Sequence, residues 1–282
     1  MSDAEPIAWS LSGFGDEIDP NPEVQVAVLH ALGARFIEVR SAWGVNVVDL
    51  DDAQLAAQKA VFAQSGMGVS AIASPIGKVG LDGDPRAEVD RLRRVIRVAE
   101  ALGTSSIRIF SFFLEGTAPE QARSAVMERM SLLADAAEQA GVTLLHENEK
   151  GIYGDTPERV LDLVETVGSP AVRVAWDSAN FVQVGVAHPH DEGYAKLRPY
   201  LDYLQVKDAL SATGEVVPAG EGDGQVAATV QALAADGYRG FASLEPHLAS
   251  AHDLGGFSGA FAFGVAARAF RRLADDAGIA LR

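Results

Sequence analysis

Short apolar runs rich in Val, Ile and Phe alternate along the chain with longer stretches whose apolar residues recur at helical spacing. Ile7 to Leu11 is the first expected strand, and a helix bearing Val24, Val26, Val28, Leu29 and Leu32 follows it. Further strands are expected at 35–40, 69–74, 107–110, 142–147, 172–177, 201–208 and 241–245. Helical stretches at 51–65, 85–102, 119–140, 156–167 and 226–235 separate most of them, and a closing helix runs from 258 to 277. Gly33, Gly66, Gly103, Gly141, Gly168 and Gly237 each end a helix and lead into a strand, the role of a left-handed C-cap. Eight βα units in one chain fit a (β/α)8 TIM barrel, a fold of about 250 residues. The rival, a doubly wound open sheet, carries a glycine-rich phosphate turn after its first strand. Here Gly13-Phe14-Gly15 runs on into Asp16-Glu17-Ile18-Asp19 and reaches no third glycine. No linker or shift of composition divides residues 1–282, so a single barrel domain is expected.

Composition narrows the partners more than the fold. Lys and Arg number 23 against 39 Asp and Glu, a net charge of -16, which disfavours nucleic acid and anionic membrane. The chain has no cysteine, so disulfides, thiolate catalysis and Cys-type zinc sites are excluded. The start lacks a basic n-region and an apolar h-region, and no apolar run approaches the roughly 20 residues of a membrane helix. A cytoplasmic protein is the expectation. Phe257, Phe261 and Phe263 serve barrel packing or a homo-oligomer interface, with packing favoured.

Candidate chemistry lies where apolar strands stop at polar residues. Leu144-Leu145 leads to Glu147, Val174-Ala175-Trp176 to Asp177, Tyr203-Leu204 to Gln205, and Ala242-Ser243-Leu244 to Glu245. In a barrel all strand C-termini open onto one mouth, so these four can meet. Four oxygen donors suit a hard divalent ion, Mn or Mg. Any one of them alone reads as an N-cap or a surface salt bridge.

The second half resembles the xylose isomerase-like sugar phosphate isomerase/epimerase superfamily. The resemblance rests on His146-Glu147-Asn148-Glu149, on Trp176-Asp177-Ser178-Ala179-Asn180-Phe181, and on Gln205-Val206-Lys207-Asp208. It includes the loop Pro218-Ala219-Gly220-Glu221-Gly222-Asp223-Gly224 and the segment Ser243-Leu244-Glu245-Pro246-His247. The first half matches in layout alone. By motif, Glu147, Asp177 and Glu245 are implied metal ligands, and Gln205 stands where the family usually has histidine. A neutral amide oxygen favours harder metals over Zn and leaves open a weak or vestigial site. Asn180 likewise replaces a histidine of several ketose epimerases.

The resemblance implies isomerisation or epimerisation of a sugar, keto-sugar or polyol by proton transfer through a metal-stabilised enediolate. Glu147 and Glu245 would move the proton, and Lys207 would polarise a substrate oxygen unless it pairs with Asp208. Arg108, Asn180, Glu221, His247 and Lys78 are the expected substrate contacts, with interior salt bridges the alternative for Arg108 and Lys78. His146 should point away from its neighbour Glu147, Glu149 should pair with Lys150, and His188, His190 and His252 should lie exposed in loops. Trp176 and Phe110 read as core. A dehydratase of the inosose or dehydroshikimate type is the second expectation. A non-catalytic or partner-dependent carbohydrate-binding barrel, motivated by Gln205, is the third.

Overall fold

In a computed structural model describing residues 7–248 and 258–282, eight parallel strands close into a barrel. They are β1 (Ile7–Gly13), β2 (Phe36–Val39), β3 (Gly68–Ala73), β4 (Ser106–Ile109), β5 (Thr143–Glu147), β6 (Val172–Asp177), β7 (Leu201–Val206) and β8 (Phe241–Leu244). Neighbours pair in sequence order from β2 to β8, and β8 pairs with β1. A parallel bridge between Phe14 and Glu38 joins the ends of β1 and β2 and closes the ring. Each strand sits within about two residues of its predicted position. A ninth strand, β9 (Ile279–Leu281), pairs with Ile7–Trp9 outside the ring; three residues after a helix gave no periodic signal of it.

The helices are α1 (Pro22–Ala31), α2 (Asp52–Ser65), α3 (Ala87–Leu102), α4 (Pro119–Ala140), α5 (Pro157–Val167), α6 (Ser178–Gln183), α7 (Val226–Ala235) and α8 (Gly259–Asp276). Local chemistry sets their limits. Asp51 and Gln54 form a reciprocal capping box at the start of α2. Proline opens α1, α4 and α5, where the missing N–H costs no helical bond. The six helix-ending glycines all take positive φ, from 62° at Gly168 to 82° at Gly33. Residues 178–200 depart from the predicted pattern: α6 and a further irregular helical run fill the space between β6 and β7. No described helix is long and apolar enough to cross a membrane.

Alternation along the strands sorts the side chains. Leu144, Val172, Val174, Trp176 and Leu204 join the continuous core between strands and helices. Inside the ring, Ala71, Leu145, Ala175 and Tyr203 form a separate apolar layer. Above it the inward positions turn polar, at Ser12, Glu38, Arg108, Gln205 and Ser243, all at most 5% exposed. Trp176 is core, packed edge-on against Phe181 and Tyr194. Phe263 is buried whereas Phe261 is 84% exposed, so packing accounts for one of the two. Phe257 and His252 lie outside the described residues.

Candidate active site

Glu147 ends β5, Asp177 ends β6 and Glu245 directly follows β8. Their carboxylate oxygens lie within 4.8 Å of one another, and none of the three residues is more than 3% exposed. Two local devices hold the strand ends in place. The Asn148 amide donates to the Asp177 carbonyl at 2.8 Å and accepts from the Asp177 N–H at 3.0 Å, extending the ladder between β5 and β6. Asp177 Oδ1 in turn caps α6 by accepting from the Asn180 N–H at 2.9 Å.

Like charges this close and this dry require cations. Lys207 Nζ lies 2.8 Å from Asp177 Oδ2 and 3.1 Å from Glu245 Oε2. Arg108 donates to Glu147 Oε2 at 2.7 Å, and Asn180 to Glu147 Oε1 at 3.1 Å. Arg40 reaches Asp16, Glu17 and Glu245 at 2.8, 3.0 and 3.1 Å. Burial pushes the Asp177 carboxyl up to about 7; Lys207 opposes the rise, and Glu147 and Glu245 add to it. For Glu245 burial also acts upward, but Lys207, His247, Arg40 and Arg108 outweigh it and hold the group below the usual carboxylate range. Burial acts downward on the Lys207 ammonium, and its acidic neighbours raise it well above the ordinary value instead.

Of these groups Arg40, Arg108, Glu147, Lys207 and Glu245 line a cavity of about 260 Å³ at the C-terminal mouth, with Phe110 as an apolar wall between Lys78 and Arg108. Phe110 is therefore more than core. Lys78 pairs with Glu149 at 3.1 Å across the rim, so the expected Glu149–Lys150 side-chain pair gives way to this contact. His247 Nε2 stands 2.9 Å from Glu17 and 3.4 Å from Glu245. Asp208 does not pair with Lys207; it accepts from the backbone of Gly220, Gly222 and Gly224 and ties down that loop.

Two expected substrate contacts lie elsewhere. Glu221 is on an outer loop, exposed and 3.8 Å from Arg272, because the glycine loop folds back on Asp208. Asn180 is buried behind Glu147, its amide nitrogen engaged by Glu147 and the Asn148 carbonyl. His146 is fully buried, its ring against the Gly154 backbone, and burial pushes it down to about 3. His188 is exposed as expected, but His190 is half-buried and stacked on Tyr194.

Gln205 pairs in register with Asp177 and donates its amide nitrogen to both oxygens of Glu38, at 3.2 and 3.3 Å. Burial pushes Glu38 up to about 7 despite Arg108 nearby. Glu38, Arg40 and Glu17 were absent from the sequence-based set. Their signal was available: Glu38 and Arg40 alternate with Ile37 and Val39 toward the end of a strand, and Glu17 follows shortly after another.

The profile of the xylose isomerase-like TIM barrel family matches residues 26–279. The chain belongs to this family. A relative within reach by sequence is the 2-epi-5-epi-valiolone 7-phosphate 2-epimerase of Actinoplanes sp., 29% identical over 228 residues, 76% of this chain and 78% of that protein. The D-allulose 3-epimerase from Methylomonas sp. in complex with D-allulose superposes with a TM-score of 0.73 at 17% identity, covering 95% of this chain and 97% of that one. A family protein from Mycobacterium smegmatis in complex with magnesium gives 0.69 at 20% identity, covering 96% and 97%.

The residues present fit a divalent cation. Besides the three clustered carboxylates, Gln205 Oε1 is buried without a hydrogen-bond partner. Seven carboxyls at the mouth and beneath it (Asp16, Glu17, Glu38, Glu147, Glu149, Asp177, Glu245) share four cations, Arg40, Lys78, Arg108 and Lys207. An acid excess in a buried site is met by protonation, as the raised Asp177 and Glu38 carboxyls show, or by a bound cation.

Proposed function

We propose that the chain is a divalent-metal-dependent isomerase or epimerase of an uncharged sugar, keto-sugar or polyol, moving a proton on the carbon beside a carbonyl. The convergence of Glu147, Asp177 and Glu245 within 4.8 Å carries the proposal. With Gln205 Oε1 these groups would hold Mn or Mg, a donor set of oxygens only. When bound, the cation supplies Lewis-acid stabilisation of negative charge developing on substrate oxygen. Glu147 and Glu245 come from β5 and the end of β8, with β6 and β7 between them, and would remove and return the proton. Arg108 and Asn180 each hold one oxygen of Glu147, which fixes its orientation toward the bound substrate. Lys207 reaches two carboxylates and lines the cavity, where it would donate to a substrate oxygen.

The charge balance supports an uncharged substrate. Among the described residues, each Lys and Arg lining the cavity already has a carboxylate partner: Lys78 with Glu149, Arg108 with Glu147, Arg40 and Lys207 with Glu245. A phosphate would meet cations whose charge these carboxylates already offset. The protein, supplied with Mn and a panel of unphosphorylated ketoses and cyclitol ketones in deuterium oxide, is expected to incorporate deuterium next to the carbonyl, read by NMR. Phosphorylated counterparts are expected to exchange more slowly. No exchange with any of them, metal bound, would overturn the proposal. Loss of water with a new conjugated-enone absorbance would place the chain with the dehydratases instead.

A further inference from the structure

The side chain at position 205 is held from below. Gln205 Nε2 faces both oxygens of Glu38. Glu38 is itself fixed: the Tyr203 hydroxyl lies 2.9 Å from Glu38 Oε2 and 2.8 Å from the Ser70 hydroxyl, and Ser70 is 2.6 Å from Ser12 Oγ across the barrel. All five residues are at most 1% exposed. With Glu38 ionised, the opposite orientation of the amide would set its oxygen against two carboxylate oxygens, which makes the nitrogen-down orientation the one the network selects. Gln205 Oε1 is then left buried with no hydrogen-bond partner, on a residue in register with Asp177. A buried acceptor without a donor is unfavourable, and a cation is the natural partner for an oxygen on the residue paired with Asp177, one of three converging carboxylates.

We propose that Glu38 is a positioning residue that fixes the Gln205 amide with its nitrogen toward the barrel interior, so that Oε1 serves as the fourth oxygen donor to a divalent cation. The proposal rests on the metal site of the preceding section. A ligating imidazole is oriented in the same manner, by its second N–H on a carboxylate. The amide reproduces that arrangement with an oxygen in place of the ligating nitrogen, which turns the site toward hard cations. Position 205 is thus a working ligand, and Glu38 acts only through it.

Calorimetric titration of Mn into the metal-free protein tests this, with circular dichroism confirming that each variant is folded. Glu38→Ala and Gln205→Ala are each expected to weaken Mn binding by about 10–100-fold. The double variant is expected to bind no more weakly than Gln205→Ala alone, because no amide remains to be oriented. A purely structural role for Glu38 would instead give losses that multiply, and that result overturns the proposal. So does wild-type affinity in Glu38→Ala. If Glu38→Ala does not fold, Glu38→Gln replaces it: this variant keeps an acceptor oxygen but loses the charge, a severalfold loss is expected, and unchanged affinity overturns the proposal. A wild-type protein that takes up no Mn contradicts the metal site itself, an outcome visible before any variant is compared.

Discussion

Lys207 stands between two buried carboxylates that would otherwise face each other, Asp177 and Glu245. Replacing it with methionine leaves Asp177 without its cation and Glu245 with Arg40. Lys207→Met is expected to cost about 3–5 kcal/mol in urea unfolding of the metal-free protein. Saturating Mn should recover part of that loss, because a cation in the triad supplies charge to the same oxygens. Glu147→Gln keeps the volume and a hydrogen bond to Arg108 but cannot take a proton. It should slow deuterium exchange into substrate by about 10²–10⁴-fold, with Mn still bound by the remaining donors. At this scale the sequence was readable where a charged residue abruptly stops an apolar run, as at Glu147, Asp177 and Glu245. It was less readable at Glu38 and Arg40, because inward-facing charges alternating along a strand look like an ordinary solvated face until the ring closes around them. Glu221 failed for the converse reason: proximity in sequence to a motif does not carry a loop side chain inward when Asp208 gathers the loop's backbone.

Among the elements, strand ends and the turns that follow them set the geometry. Gly77, at φ 82°, lies where a Cβ would overlap the Phe110 carbonyl. Gly77→Ala should therefore destabilise the fold by about 1–3 kcal/mol and raise KM through displacement of Phe110 and Lys78. Asp51→Ala removes the α2 capping box at an exposed position that does not line the cavity. It should cost about 1 kcal/mol and leave the exchange rate unchanged, a control for stability effects as such. The βα order was legible because helical and strand periods alternate cleanly and glycine marks six of the seven helix-to-strand junctions from β1 to β8. Residues 178–200 and β9 were not, since short helical turns and a three-residue strand are fixed by packing against their surroundings and not by local periodicity.

Across the whole molecule, closing the sheet brings residues a hundred positions apart to one 260 Å³ cavity, and with the carboxyls beneath it (Asp16, Glu17, Glu38 and Asp177) the cluster carries an acid excess. That excess couples metal binding to stability. At free Mn of 100 times the dissociation constant, thermal or urea unfolding should show a gain of about 2.7 kcal/mol. Chelation should abolish the gain, and Asp177→Asn should greatly reduce it. The family and the barrel were evident from motif order, whereas the substrate was not, because the first-half strand ends that line the cavity carry no recurring motif. Anomalous diffraction from crystals soaked in Mn tests the central claim most directly. One Mn peak per chain is predicted, contacted by oxygens of Glu147, Asp177, Glu245 and Gln205. No peak, or a peak elsewhere on the molecule with the triad still closed on Lys207, would contradict it.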